Sequence, residues 1–157
     1  QINIFHNKKT YKIQLKNLKI YIIIHLTKEV IYLSLKIVSN NSLVKEKFDS
    51  VEFIDGSYID VLIATRDLIH KGCSLVSHPL PASIRMVFSS IRSIVIDDEK
   101  TFDEDSILII EEAIDKYNLT MKNRNIDFKN VKDYEVVDLM LVESAIEEYK
   151  ALSKLEK

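Results

Sequence analysis

From Lys36 onward, short β-branched runs alternate with segments of helical periodicity, and this alternation restricts the chain to an α/β fold more than any other feature. Lys36-Ile-Val-Ser39 reads as a strand, and Asn40-Asn41-Ser42 supplies turn and N-cap residues for a short helix over about 42–48. Val51-Glu-Phe-Ile-Asp55 alternates apolar and charged residues as a half-buried strand does, and Gly56-Ser57 ends it. Tyr58, Val61, Leu62, Thr65, Leu68 and Ile69 then share one helical face, closed by His70, Lys71 and Gly72. Cys73-Ser-Leu-Val-Ser77 reads as a third strand, stopped by the proline-bearing loop His78-Pro-Leu-Pro81. Ile94-Val-Ile96 reads as a fourth, running into Asp97-Asp98-Glu99. Thr101-x-x-Glu104 matches a capping box for a helix over about 103–117, with Ile107, Ile110, Ile114 and Tyr117 on its buried stripe. A final helix over about 133–155 places Val136, Leu139, Val142, Ile146, Tyr149 and Leu152 on one face.

This order predicts a small doubly wound α/β domain: a mostly parallel four-stranded sheet, helices on both faces and a long C-terminal helix. Parallel neighbours require crossover connections, and the helical segments supply them. Ligands in such sheets collect at the carboxyl ends of the strands. That rule selects the loops at 39–42, 55–58 and 77–85.

Residues 1–35 are of another character. They are basic and rich in Ile, Lys and Asn, with no Gly, Pro, Ala, Asp or Met, and the chain opens on Gln1. Such a vocabulary is the one A/T-rich codons specify. The expectation is translated upstream sequence with the true start near Leu35-Lys36; a genuine hairpin or helical appendage is the alternative. The domain proper is then 36–157.

At 157 residues and 46% hydrophobic content, the chain has material for one packed core and not for two ordinary domains. The net charge of −2 hides an asymmetry, because residues 37–157 carry 15 Lys and Arg against 23 Asp and Glu. An acidic body of that kind repels phosphate backbones, and nucleic acid is not expected as a partner. The apolar run Ile20–Leu35 is broken by His25, Lys28 and Glu29, so no membrane span is expected. A single cysteine, Cys73, allows no internal disulfide and fits a cytoplasmic setting. It reads as a core thiol at the start of a strand.

With only Gly56 and Gly72 in the chain, neither a dinucleotide fingerprint nor a P-loop can be written. There is also no G-x-S-x-G, H-E-x-x-H or C-x-x-C. No cofactor or metal is expected. The strand-end rule instead gathers polar candidates for ligand binding: Asn40, Asn41, Asp55, Ser57, Tyr58, Ser77, His78, Ser83 and Arg85. Arg85 can grip a carboxylate or phosphate, and the His78 imidazole can serve as acid, base or ligand. The plain alternative is that Asn41, Ser42 and Ser57 are helix caps and His78-Pro79 a loop anchor. Likewise His70 fits a helix C-terminus, and Asp97-Asp98-Glu99 a solvated acidic turn.

Three stretches at those strand ends carry a resemblance. They are Ile37-Val-Ser-Asn-Asn-Ser-Leu-Val-Lys-Glu-Lys-Phe48, Val51-Glu-Phe-Ile-Asp-Gly-Ser-Tyr-Ile-Asp-Val-Leu62, and Arg66-Asp-Leu-Ile-His-Lys-Gly72 running on to Ser77-His-Pro-Leu80. Together they resemble the GrdX family, accessory proteins encoded beside glycine, sarcosine and betaine reductases. The likeness runs from about residue 36 to the C-terminus. Ala82 stands where the family pattern has Gly, and Met86-Val-Phe88 replaces a polar, proline-bearing stretch. The resemblance implies an accessory role in reductive amino-acid fermentation and brings with it no catalytic residue. Reductase subunits or a small anionic ligand are the partners it suggests. A small enzyme acting on a carboxylate or acyl phosphate through His78 and Arg85 is the alternative, and the apolar Val136–Val142 segment allows a homodimer.

Overall fold

The computed structural model describes residues 34–99 and 102–153. The expectations for residues 1–33, for Thr101 as a cap and for a helix end near 155 lie outside the described residues.

The elements are β1 (Leu35–Ser39), α1 (Ser42–Lys47), β2 (Val51–Phe53), α2 (Tyr58–Ile69), β3 (Ser74–Leu75), α3 (Ile84–Val87), β4 (Ser93–Asp97), α4 (Glu104–Met121) and α5 (Val131–Leu152). Asn41 caps α1 through its side-chain oxygen, which accepts from Leu43 N at 3.0 Å. Asp103, one residue before Glu104, caps α4 by accepting from Asp105 N. Helix α2 closes where Cys73 N reaches back to Leu68 O and Gly72 N to Ile69 O, with Gly72 at φ 100. That Schellman arrangement puts glycine in the left-handed conformation other residues resist.

The sheet order is β2-β1-β4-β3. Among the four described strands only β1 and β2 pair in parallel; β4 runs antiparallel to both β1 and β3. The expectation of a mostly parallel sheet is therefore corrected. Between β3 and β4 the chain forms only the four-residue α3, ~6 Å long at 1.5 Å per residue. No longer helix lies between the two strands to carry the chain back along the sheet, and β4 begins at the end where β3 stops. Strand β3 is also shorter than expected. Val76 N and Ser77 N both donate to Val95 O, and Ser77 Oγ accepts from Val95 N, so a bulge replaces regular pairing there.

Strand alternation divides the core. Val38, Ile94 and Ile96 meet Tyr58, Val61 and Leu62 of α2 and Ile110 and Tyr117 of α4 on one face. Leu35, Ile37 and Val95 meet Val44 of α1 and Val142 and Ile146 of α5 on the other. The described residues thus form a mixed α/β fold with helices on both faces of the sheet. The buried stripe of α5 differs from the expected one: Asp138, Val142 and Ile146 are buried, while Val136 and Leu152 are about half exposed. No helix among the described residues is long and apolar enough to cross a membrane.

Candidate functional site

Because β4 is reversed, its first residues lie at the same rim as the last residues of β1 and β3. Asn40, just past β1, fastens that rim. Its Nδ2 donates to Gly56 O at 2.9 Å and Ser90 O at 2.8 Å, and its Oδ1 accepts from Arg92 N at 2.7 Å.

Beneath Asn40 lies a buried polar network. Asp138, on the sheet-facing side of α5, accepts from Ser93 N at 2.9 Å through Oδ1, and from Ser93 Oγ at 2.6 Å and Asn41 Nδ2 at 2.9 Å through Oδ2. Ser39 Oγ lies 2.7 Å from Ser93 Oγ and accepts from Asn41 N. Burial pushes the Asp138 carboxyl above its ordinary range, opposed by the Arg92 charge and by the donors from Asn41 and Ser93. No buried side-chain nitrogen or oxygen among the described residues lacks a partner.

Arg92 joins this network to the 77–85 loop. Its Nε donates to Pro79 O at 2.8 Å and its Nη2 to His78 O at 2.5 Å. Its Nη1 stands 3.8 Å from Asp138 Oδ1, an ion pair beyond hydrogen-bond reach. Beside it lies a hollow of about 180 Å³ lined by Ser77, His78, Ala82, Arg92, Ser93 and Leu141 among others.

The sequence candidates separate on this frame. Asn40, Asn41, Ser77 and His78 gather at the rim. His78 is exposed and accepts from Leu80 N at 3.0 Å through Nδ1, while Ser77 Oγ is engaged by Val95 N. Tyr58 is fully buried, its ring 4.6 Å from that of Tyr117 and its hydroxyl 3.4 Å from Pro79 O; burial holds that hydroxyl well above the usual tyrosine value. Ser57 N and Oγ both donate to Asp60, which holds the Asp60 carboxyl below its usual range. Asp55 is exposed, and Ser83 is the N-cap residue of α3. Arg85 lies elsewhere, in a groove with Phe88, Arg124, Asp127 and Tyr134.

A family model described as GrdX-like protein matches residues 36–147. The chain belongs to the GrdX-like family. No curated protein and no solved structure matches it. The GrdX-like span contains all nine sequence candidates, together with three rim residues that the strand-end rule passed over. Those are Arg92, Ser93 and Asp138. Asp138 carried a usable signal, because it precedes Val142 by four residues and Ile146 by eight, on one helical stripe. An acid inside that stripe has to be buried, and a buried acid demands donors. Arg92 carried less, since its place one residue ahead of an apolar strand is equally common for a solvated end. Cys73 of this GrdX-like chain is buried, as a core thiol should be.

Proposed function

We propose that this GrdX-like protein is a non-catalytic accessory component of glycine-, sarcosine- or betaine-reductase-type amino-acid fermentation in the cytoplasm. It holds a small carboxylated or phosphorylated ligand in the hollow beside Arg92. The observation that carries the reading is the state of that guanidinium. Nε and Nη2 are fixed on loop carbonyls, which leaves the Nη1 donors, held off Asp138, for an oxyanion. The hollow, at about 180 Å³, is small and has room for a ligand the size of a glycine or a betaine. Family membership supports the biological setting.

The enzyme reading through His78 and Arg85 has less support, because those two side chains line different hollows and His78 Nδ1 is engaged by its own loop. For a protein partner, the surface we favour is the outer side of α5, where Val136, Val137, Met140 and Leu141 are exposed. A reductase subunit is the expected occupant and a second copy of the chain the other.

Thermal shift of the full chain against glycine, sarcosine, betaine, acetyl phosphate and phosphate tests the ligand. A rise in melting temperature with one of them, lost in Ala82→Phe and Leu141→Trp, is expected. Those changes fill the hollow from its exposed wall and leave the Arg92 bonds in place. No shift with any of the five would overturn the small-ligand reading. Recovery of reductase subunits with the native protein, reduced by Met140→Asp, is expected for the accessory role.

A further inference from the structure

The groove that takes Arg85 away from the rim is a second concave feature of this domain. Its volume is about 590 Å³, and it is lined by Arg85, Phe88, Asn123, Arg124, Asn125, Asp127, Asn130 and Tyr134. The walls come from three parts of the chain. Arg85 and Phe88 belong to α3 and its end, Asn123 to Asp127 to the connection after α4, and Asn130 and Tyr134 to the start of α5. Backbone pairing fixes them together: Asp127 N donates to Phe88 O at 2.8 Å, and Ser89 forms a parallel bridge with Asp127. The groove is thus a built feature of the fold.

Its charge is unbalanced. Neither the Arg85 nor the Arg124 guanidinium has an ion-pair or hydrogen-bond partner among the described residues, in a domain whose sequence is acidic. The Arg124 guanidinium carbon stands 5.7 Å from the centre of the Phe88 ring, a cation–π contact that leaves its N–H donors unused. Asp127 is the one acid of the lining, and its carboxylate is occupied by Lys129 N at 2.9 Å, Asn130 Nδ2 at 2.7 Å and the Tyr134 hydroxyl at 3.0 Å. Those donors hold its carboxyl below the usual range and keep it turned toward its own loop. Because Asn130 reaches Asp127, its side chain does not cap the 22-residue helix α5, whose positive end opens on the groove.

We propose that this groove is an oxyanion site, separate from the Arg92 hollow, in which Arg85 and Arg124 together clasp a phosphoryl or carboxylate group. Two guanidinium forks and the amides of Asn123 and Asn125 offer planar, charge-assisted donors, and both groups present the matching oxygens. The groove's size admits a ligand with a body beyond the anion. Phe88 and Tyr134 give that body an aromatic wall.

Isothermal titration of the full chain at low salt tests this, with inorganic phosphate and acetyl phosphate as the phosphoryl arm and malonate and glutarate as the carboxylate arm. Saturable binding in one arm is expected, weakened about tenfold or more by Arg85→Gln and again by Arg124→Gln, since each removes charge-assisted hydrogen bonds. Ala82→Phe, which fills the other hollow, should leave this binding unchanged. Absence of saturable binding in both arms overturns the proposal, as does binding that survives both arginine substitutions or disappears with Ala82→Phe.

Discussion

Arg92 and Asp138 stand 3.8 Å apart, both almost wholly removed from solvent. Each is held from its far side by other groups, Arg92 by the Pro79 and His78 carbonyls and Asp138 by Ser93 and Asn41. The pair therefore ties the 77–85 loop, the start of β4, the α1 cap and α5 into one unit. Removing either charge leaves the other buried with an incomplete set of partners.

Asp138→Ala is expected to destabilise the fold by about 3–5 kcal/mol, because it removes one member of a buried pair, strands Ser93 N and leaves Asn41 Nδ2 with only the Glu135 carbonyl as acceptor. Urea unfolding of the full chain checks this. A loss comparable to an ordinary surface substitution would mean that the network is not closed as described.

The same carboxyl gives a pH signature. Its folded-state value is raised from 3.8 chiefly by burial. A raised acid contributes stability that is fully present below the ordinary value and is lost as pH rises through the folded one. Wild-type stability measured against Asp138→Asn should therefore fall as pH climbs from below 3.8 and level off above the shifted value. All other titrating groups are common to both proteins, so a difference that is flat or rises with pH contradicts the assignment.

Arg85 and Arg92 should behave as opposites. Arg85→Ala is expected to change stability by no more than about 0.5 kcal/mol, as befits an exposed side chain without a partner. Arg92→Met takes the guanidinium donors from two loop carbonyls and the counter-charge from a buried acid, and a loss of at least about 3 kcal/mol is expected. Parallel denaturant titrations of the two variants distinguish them.

Gly72→Ala should cost about 1 kcal/mol or more, since the residue sits at φ 100 where a Cβ crowds the backbone. Chemical denaturation monitored by circular dichroism reads the shift directly. Gly72→Asn, which tolerates that conformation better, should recover part of it.

The elements were legible because their cause is local. Asn41 caps and Gly72 stops a helix by geometry within a few residues, and the Val38/Ile37 alternation declares two buried faces. Strand direction was not, because it depends on whether the 76–92 connection can span the sheet. Met86-Val-Phe88 gave no sign of a helix as short as α3. The site was half legible for a similar reason. Asn40 and His78 stand where the strand-end rule looks, but Asp138 arrives from a helix far along the chain, and only the tertiary fold brings it to Ser93. Arg85 was assigned to the rim by its loop, whereas the turn of α3 carries it to the other groove.

Asn40 finally makes the rim behave as a single mechanical part. One amide group holds the loop before α2, the loop before β4 and the first amide of Arg92. None of the three can swing out without breaking a bond to the other two through that side chain. A displacement of the Arg92 amide is consequently passed through one side chain to Gly56, on the opposite flank of β1, so the two flanks of that strand are tied at this end of the sheet.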